Sequence, residues 1–168
     1  EDKVVEVIET SATSTDPADC EALATRSFLE QTQFSEGKEA VKSCEEDAEE
    51  TEGDPESVEV TEVEVDGSSA TADSEFVGGD FDGQVLSVAL VEEDGEWKMD
   101  EITGFAKLDQ EQLASSLEES FQSGENGLDA EVASCMGDAL RELSEPEVEE
   151  VVFGGSSEPI VELLESCE

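Results

Sequence analysis

Apolar residues recur every three or four positions in three successive stretches near the start of the chain, which is the spacing of amphipathic helices. The helices predicted from this spacing cover residues 3–13, residues 17–31 and a segment that begins after Ser35. Asp16 and Pro17 have the residue types of an N-cap and a first helical position, so the second helix is predicted to begin there.

Beyond a charged link at residues 49–55, apolar residues alternate with polar ones, as in strands with one buried face. Turn sequences such as Asp66-Gly67 divide this region into four predicted antiparallel strands. The alternation slips by one residue at Thr61–Glu62, which predicts a β-bulge. Residues 84–91 are apolar on both faces, so we expect them to form a central strand.

Helical spacing returns after residue 107 and continues to the end of the chain. Ser144 and Glu147 have the spacing of a capping box, and Pro159 is placed to open the last helix. The order of patterns predicts an α+β fold, with three N-terminal helices packed on a curved four-stranded antiparallel sheet, followed by a small all-α bundle. We expect two domains, an α+β domain at residues 1–106 and a disulfide-clipped helical domain at residues 107–168.

The chain has four cysteines, Cys20, Cys44, Cys135 and Cys167, but no CxxC spacing and no His, so zinc and thioredoxin-type sites lack support. The nearest pairings, Cys20–Cys44 and Cys135–Cys167, would place one disulfide in each half of the chain; four buried free thiols are the alternative. Two disulfides imply an oxidising compartment. The first residue, Glu1, is typical of a mature product whose export signal has been removed. We therefore expect an extracellular or cell-surface protein.

The net charge of the chain limits the classes of partner that it can bind. The chain has 49 acidic residues, 7 basic residues and a formal net charge of -42. This charge argues against nucleic acid and against an anionic membrane surface, because binding to either requires cationic side chains. No apolar run is long enough to predict a transmembrane segment. Dense carboxylates keep a surface hydrated in high salt, so we interpret the acidity as halophilic adaptation; an acidic secreted protein without that history is the alternative.

The residue types and motifs of common enzymes are missing from the sequence, which has no His, no Tyr and no GxSxG, Walker or GxGxxG motif. Asp100 and Glu101, close to Trp97, are the best candidates for catalytic acids, with an exposed strand edge as the alternative. The loop at residues 80–83 (DFDG) has calcium-binding residue types but lacks the long ligand array and closing Glu of an EF-hand, so a hairpin loop is favoured. We expect no catalytic residue, no cofactor and no metal site.

An ordered set of segments in the first part of the chain resembles a protein superfamily. The set comprises Val4, Val5, Ile8, residues 16–20 (DPADC), residues 28–31 (FLEQ), Cys44, residues 63–70 and residues 94–100. In this order the segments are similar to the nuclear-transport-factor-two-like (cystatin-like, SnoaL-type) superfamily, and in particular to its exported branch of bacterial lipoproteins. The resemblance covers residues 1–106 and implies a cone-shaped α+β domain whose concave sheet and first helix can enclose a pocket. Enzymes of this superfamily use Tyr, Asp or His inside the cone, and this chain has neither Tyr nor His, so their activities are not carried over.

These observations predict a non-catalytic exported or cell-surface binding or interaction protein, tethered in its full form by an N-terminal lipid. Its partner is an unknown protein or a small apolar ligand. One alternative is a carrier or sensor that holds a small apolar ligand in the cone, at a pocket lined by Phe76, Leu86, Trp97 and Met99. Filling of the core by Trp97 is the simpler role for that side chain. A second alternative is a carboxylate-dependent lyase or isomerase.

The interpretation of the acidity as salt adaptation predicts that salt stabilises the fold. Repulsion between surface carboxylates weakens as the Debye length shortens, so the urea midpoint should rise from low ionic strength to molar NaCl. A neutral osmolyte at matched osmolality is the control, because it does not screen charge. A urea midpoint that is the same at both salt concentrations would contradict the interpretation.

Overall fold

The computed structural model describes residues 1–48, 54–123 and 128–167. Within them lie eight helices and one antiparallel sheet of four strands, ordered β1-β2-β3-β4. Helices α1 (Asp2–Thr13), α2 (Asp19–Leu23), α3 (Arg26–Gln33) and α4 (Lys38–Asp47) precede the sheet. The strands are β1 (Ser57–Asp66), β2 (Ser69–Val77), β3 (Val85–Glu93) and β4 (Glu96–Lys107), and they are followed by α5 (Gln110–Ser123), α6 (Ala130–Glu142), α7 (Glu145–Phe153) and α8 (Glu158–Cys167). The predicted α+β class and the four-stranded antiparallel sheet are confirmed.

Four helices precede the sheet where the sequence predicted three, so this detail of the prediction was wrong. The helix predicted at residues 17–31 is split into α2 and α3, because the chain between them is extended. There Ala24 pairs with Met99 of β4, and the N–H of Thr25 donates to the Met99 carbonyl at 2.8 Å. Thr25 then caps α3 by accepting a hydrogen bond from the N–H of Phe28. A contact with the sheet edge thus interrupts a segment whose apolar spacing is helical throughout.

Two predicted helix starts also differ from the structure. Helix α2 begins at Asp19, after Ala18, although the Asp16 carboxylate does accept a hydrogen bond from the N–H of Ala18 at 3.0 Å. Helix α4 follows Gly37 and not Ser35. Gly37 has a φ of 61°, a conformation that residues with a Cβ rarely adopt, so the glycine sets where this helix can begin.

The hairpin of β1 and β2 follows the sequence prediction closely. Its turn contains Gly67 with a φ of 64°, as expected for an Asp-Gly turn. The register shifts between Thr61 and Glu64, so the bulge predicted at Thr61–Glu62 is confirmed. Strand β3 lies between β2 and β4 and is therefore central, also as predicted. Most of the charged link predicted at residues 49–55 lies outside the described residues.

Strand β4 shifts register against β3 at three places. In each shift one extra residue enters β4, and these residues are Asp100, Thr103 and Ala106. Each extra residue directly follows an apolar side chain that packs on the core, in the order Met99, Ile102 and Phe105. Repeated bulges bend a strand and increase its twist, so β4 is the strand that shapes this side of the sheet.

The main core lies between the helices and one face of the sheet. It contains Val4 and Ile8 of α1 together with Leu86, Val88 and Leu90 of β3, all of them at most 2% exposed. Burial of each large aliphatic side chain of this kind contributes roughly 1.5–3 kcal/mol. Alternation along β3 therefore fixes which face of the sheet the helices cover.

Both predicted disulfides are present. Cys20–Cys44 joins α2 to α4 with a Cα–Cα distance of 6.1 Å, and Cys135–Cys167 joins α6 to α8 with a Cα–Cα distance of 5.7 Å. All four cysteines lie on helices, and each bridge connects neighbouring helices that are separate in sequence. Closing loops of these lengths stabilises a fold by roughly 3–4 kcal/mol each in the chain-entropy model.

Ionic contacts and caps organise the C-terminal helices. The Arg141 guanidinium of α6 lies 3.4 Å from a carboxylate oxygen of Glu111 and 3.6 Å from one of Glu118, and both of these acids belong to α5. A single cation, Arg141, therefore links two acidic helices that would otherwise repel each other.

Helix α7 begins with the capping box predicted at Ser144 and Glu147, which is confirmed.

The C-terminal helices reach the sheet through the end of α7. The Phe153 ring, 7% exposed, stacks on Phe81 with centroids 5.8 Å apart and packs against Phe105 at 5.0 Å. The Glu149 carboxylate accepts a hydrogen bond from the N–H of Phe105 at 3.0 Å. Gly104 leaves room for this contact, because a Cβ there would collide with the Glu149 carboxylate. Phe153 thus shares the main core with the sheet, and the division into two domains after residue 106 stays a prediction.

These contacts predict that Phe153→Ala destabilises the sheet as well as the C-terminal helices. Loss of a buried Phe costs about 3–5 kcal/mol, and Trp97, the only Trp in the chain, reports on the sheet by its fluorescence. The urea transition followed at Trp97 should therefore shift to lower denaturant. Val161→Ala is the control, because Val161 is 46% exposed. An unchanged Trp97 transition in Phe153→Ala would show that the two parts unfold independently.

Candidate apolar ligand site

The four side chains predicted to line a pocket lie in the main core. Leu86, Trp97 and Met99 are buried, and Phe76 is half-buried against the same cluster. The structure thus brings all four together as packing residues. The clefts described below are lined by other residues, and a pocket at these four side chains stays a prediction.

An apolar cleft of about 260 Å³ lies between the end of α3, the loop joining β2 to β3, and helices α5 to α8. We refer to it as the apolar cleft. Twelve of its fourteen lining residues are apolar, and the other two are Thr32 and Asp80. The apolar lining consists of Phe34, Phe81, Ile102, Leu117, Phe121, Met136, Leu140, Val151, Val152, Phe153, Ile160 and Leu163.

Aromatic packing fixes one wall of the apolar cleft. Phe81 packs against Phe76 with centroids 6.1 Å apart on one side and stacks on Phe153 on the other. Met136 and Leu140, on the inward stripe of α6, are 2% and 3% exposed and form a second wall. Both walls consist of residues that are held by the core, so the cleft has a preformed shape.

Helix α8 forms the side of the apolar cleft that is held least firmly. It contributes Ile160 and Leu163 to the lining, but none of its described residues is fully buried. The Cys135–Cys167 disulfide joins the end of α8 to α6. Elements with few buried apolar contacts open at a lower free energy than the core, so we expect the disulfide to hold this helix over the cleft.

Asp80 lies in the loop between β2 and β3, and hydrogen bonds stabilise the conformation of this loop. The Asp82 carboxylate accepts a hydrogen bond from the N–H of Gly78 at 2.6 Å and another from the Gln112 side chain of α5 at 2.8 Å. The Asp80 carboxylate accepts a hydrogen bond from the Ser120 hydroxyl, also on α5, at 3.3 Å. The loop is therefore attached to α5, and it places the half-buried residue Asp80 in the lining of the apolar cleft.

The position of Asp80 changes the pKa of its carboxyl. Burial raises the pKa of the Asp80 carboxyl above its usual value, the hydrogen bond from Ser120 acts in the opposite direction, and the negative charge of Asp54 raises it further. The charged form of Asp80 is thus less favourable here than in water. A ligand group that compensates this charge would be favoured at the same place.

A second cleft, of about 230 Å³, lies beside the Cys20–Cys44 disulfide and has a mixed polar and apolar lining. Asp19, Asp47 and Asp54 are among its lining residues. Burial raises the pKa of Asp47, and burial together with the charge of Asp47 raises the pKa of Asp54. Like charges crowd one another here, and among the described residues no group of three or more His, Cys, Asp or Glu side chains could hold a metal ion.

The acids singled out for catalysis are placed differently. Asp100 is one of the extra residues of β4, is half-buried, and accepts a hydrogen bond from the Thr25 hydroxyl at 2.9 Å. Glu101 is exposed. Neither residue is among those that line the apolar cleft. The loop at residues 80–83 joins two strands, as predicted, and its Asp82 carboxylate is occupied by N–H donors.

Comparison of the chain with protein-family models, characterised proteins and solved structures gives no match. The resemblance of residues 1–106 to the nuclear-transport-factor-two-like superfamily stays a prediction. The apolar cleft has the properties of a small-molecule site: concavity, an apolar lining and few polar groups.

The raised pKa of Asp80 makes the stability of the protein depend on pH. Because the folded state binds this proton more tightly, the contribution of Asp80 to the free energy of unfolding falls as pH rises from the ordinary aspartate pKa through the raised one. Asp80→Asn should therefore be more stable than the wild type at neutral pH, and the difference should vanish in acid. Urea titrations over a pH series measure it.

Glu119→Gln on α5 is the matched control for this prediction. It removes the same charge from an exposed position, so it should stabilise less than Asp80→Asn. Carboxyl-carbon NMR of Asp80 gives the midpoint directly. A midpoint at or below the ordinary aspartate value, with equal behaviour of the two variants, would contradict the electrostatic assignment.

Proposed function

We propose that the protein is a non-catalytic exported or cell-surface binding protein and that it holds a small apolar ligand in the apolar cleft. The observation that carries the proposal is the cleft itself, an apolar concavity of about 260 Å³ at the junction of the sheet with the C-terminal helices. An apolar cavity of roughly 150 Å³ is enough to take benzene. The cleft is thus suited to a compact ligand with an aromatic ring or a short alkyl chain.

Preformed walls support ligand binding at this position. A ligand that enters a site whose side chains are already ordered does not bear the entropic cost of fixing them. Phe81 and Phe153 are ordered by mutual stacking, and Met136 is held in the α6 stripe. Binding would then depend mainly on the apolar surface that the ligand removes from water.

Disulfide bonding supports location outside the cytosol. The two disulfides are consistent with an oxidising compartment. In the described part of the chain, no helix is long and apolar enough to cross a membrane. We propose export on the basis of the disulfides, with a lipid tether and salt adaptation of the acidic surface as further parts of the same proposal.

The proposal that residues 1–106 form a cone-shaped domain like those of the nuclear-transport-factor-two-like superfamily is supported by the order of elements. Helices precede a four-stranded antiparallel meander, and its last strand is bulged three times. In this proposal the apolar cleft is an addition made by the C-terminal helices, distinct from the pocket that the resemblance implies inside the cone.

Filling the apolar cleft tests the proposed function. Leu163→Trp places a larger side chain in the lining, whereas Val161→Trp adds the same side chain to α8 at an exposed position. Binding of 4-phenylbutan-1-ol, followed by the methyl NMR signal of Met136, should saturate in the wild type and in Val161→Trp. The affinity should fall about tenfold or more in Leu163→Trp, since a loss of about 1.4 kcal/mol of binding free energy lowers affinity tenfold. Equal binding by all three proteins would place the ligand elsewhere, and no saturable binding would refute the function.

Removal of each disulfide gives a second test. Replacement of both Cys135 and Cys167 by Ser releases α8 from α6 and should weaken binding of the same alcohol. The matched variant, with Cys20 and Cys44 replaced by Ser, should lose comparable stability, about 2–5 kcal/mol, and keep its affinity at temperatures where it remains folded. Calorimetric titration measures both affinities. Unchanged affinity after loss of Cys135–Cys167 would show that the disulfide does not hold the cleft.

A further inference from the structure

Asp80 is the only charged residue among the described residues that line the apolar cleft. Its setting differs from that of Asp82, two residues away in the same loop. Asp82 accepts hydrogen bonds from a backbone N–H and from an amide side chain, at 2.6 and 2.8 Å. The hydrogen-bond partner that the structure shows for Asp80 is the Ser120 hydroxyl, at 3.3 Å. The Asp80 carboxylate therefore has acceptor capacity beyond this one neutral donor.

The negative charges around Asp80 determine whether a cationic, neutral or anionic ligand group is favoured there. The chain has a formal net charge of -42, and the field of such a protein enriches cations and repels carboxylates near its surface. Asp54 adds a further negative charge near Asp80. A fatty acid or another anionic amphiphile would place like charges together, whereas an ammonium group would neutralise a partly desolvated carboxylate.

We propose that the ligand of the apolar cleft is an amphipathic amine, whose ammonium group pairs with Asp80 and whose apolar body packs on Phe81, Phe121 and Leu163. This inference rests on the proposed function and adds to it the charge and polarity of the ligand. Ammonium donors form charge-assisted hydrogen bonds with carboxylates, which are stronger than bonds between neutral groups. The loop attached to α5 holds the carboxylate in place, so the amine and the apolar body can bind at the same time.

Three ligands with one carbon skeleton separate the contribution of charge from that of the apolar body. 4-Phenylbutylamine carries an ammonium group, 4-phenylbutan-1-ol a neutral hydroxyl and 4-phenylbutanoate a carboxylate. Calorimetric titration of the intact chain at neutral pH should give an amine affinity about tenfold higher than that of the alcohol, which corresponds to one charge-assisted contact. The carboxylate should bind more weakly than the alcohol.

Two variants then locate the charge effect. Asp80→Asn should bind the amine and the alcohol with similar affinity, because it keeps the size of the side chain and loses its charge. Glu119→Gln removes one negative charge from an exposed position of α5 and should keep the tenfold preference for the amine. Circular dichroism at each titration temperature establishes that both variants are folded.

The outcomes distinguish this inference from the proposed function. If the alcohol binds and the amine has no advantage, or if Asp80→Asn keeps the advantage, the pairing with Asp80 is wrong and the apolar-ligand function stands. An equal loss of preference in Asp80→Asn and Glu119→Gln would show that the preference does not depend specifically on Asp80, which also overturns the pairing. If neither ligand binds saturably, both the function and the inference fail.

Discussion

The packing of Phe153 between Phe81 and Phe105 determines where the C-terminal helices lie against the sheet. Phe153 is at the end of α7 and Phe105 is on the bulged strand β4, while Phe81 is in the loop between β2 and β3. The three rings extend the main core beyond the sheet, and two of them also line the apolar cleft. Stability of the junction and the shape of the candidate site thus depend on the same side chains.

Electrostatic repulsion between carboxylates opposes this fold in addition to conformational entropy. Seven basic residues accompany 49 acidic ones, so pairing neutralises only a small part of the charge. Arg141 lies on α6 and contacts two acidic residues of the neighbouring helix α5. Two disulfides add covalent links at places where the helices bury little apolar surface, most clearly at α8. In such an acidic protein an apolar cleft with one carboxylate is chemically distinct from the rest of the surface.

Local patterns in the sequence predicted most of the elements, because their causes are local. The hairpin turn at Gly67 and the capping box at Ser144 depend on residues only a few positions apart. The break at Thr25 was not predictable in this way, since its cause is a contact with β4 more than seventy residues later in the chain. The apolar cleft was missed for a similar reason. Leu117 and Phe121 show the spacing of a packed helix, and nothing in that spacing indicates that their partners leave a gap.

A crystal structure of the protein with 4-phenylbutylamine tests the central claim most directly. We expect ligand density in the apolar cleft, with the phenyl ring between Phe121 and Leu163 and the nitrogen within hydrogen-bond distance of the Asp80 carboxylate. Density beside Trp97, inside the main core, would move the site to the pocket predicted from the sequence. A cleft that stays empty at ligand concentrations that saturate binding in solution would contradict the claim.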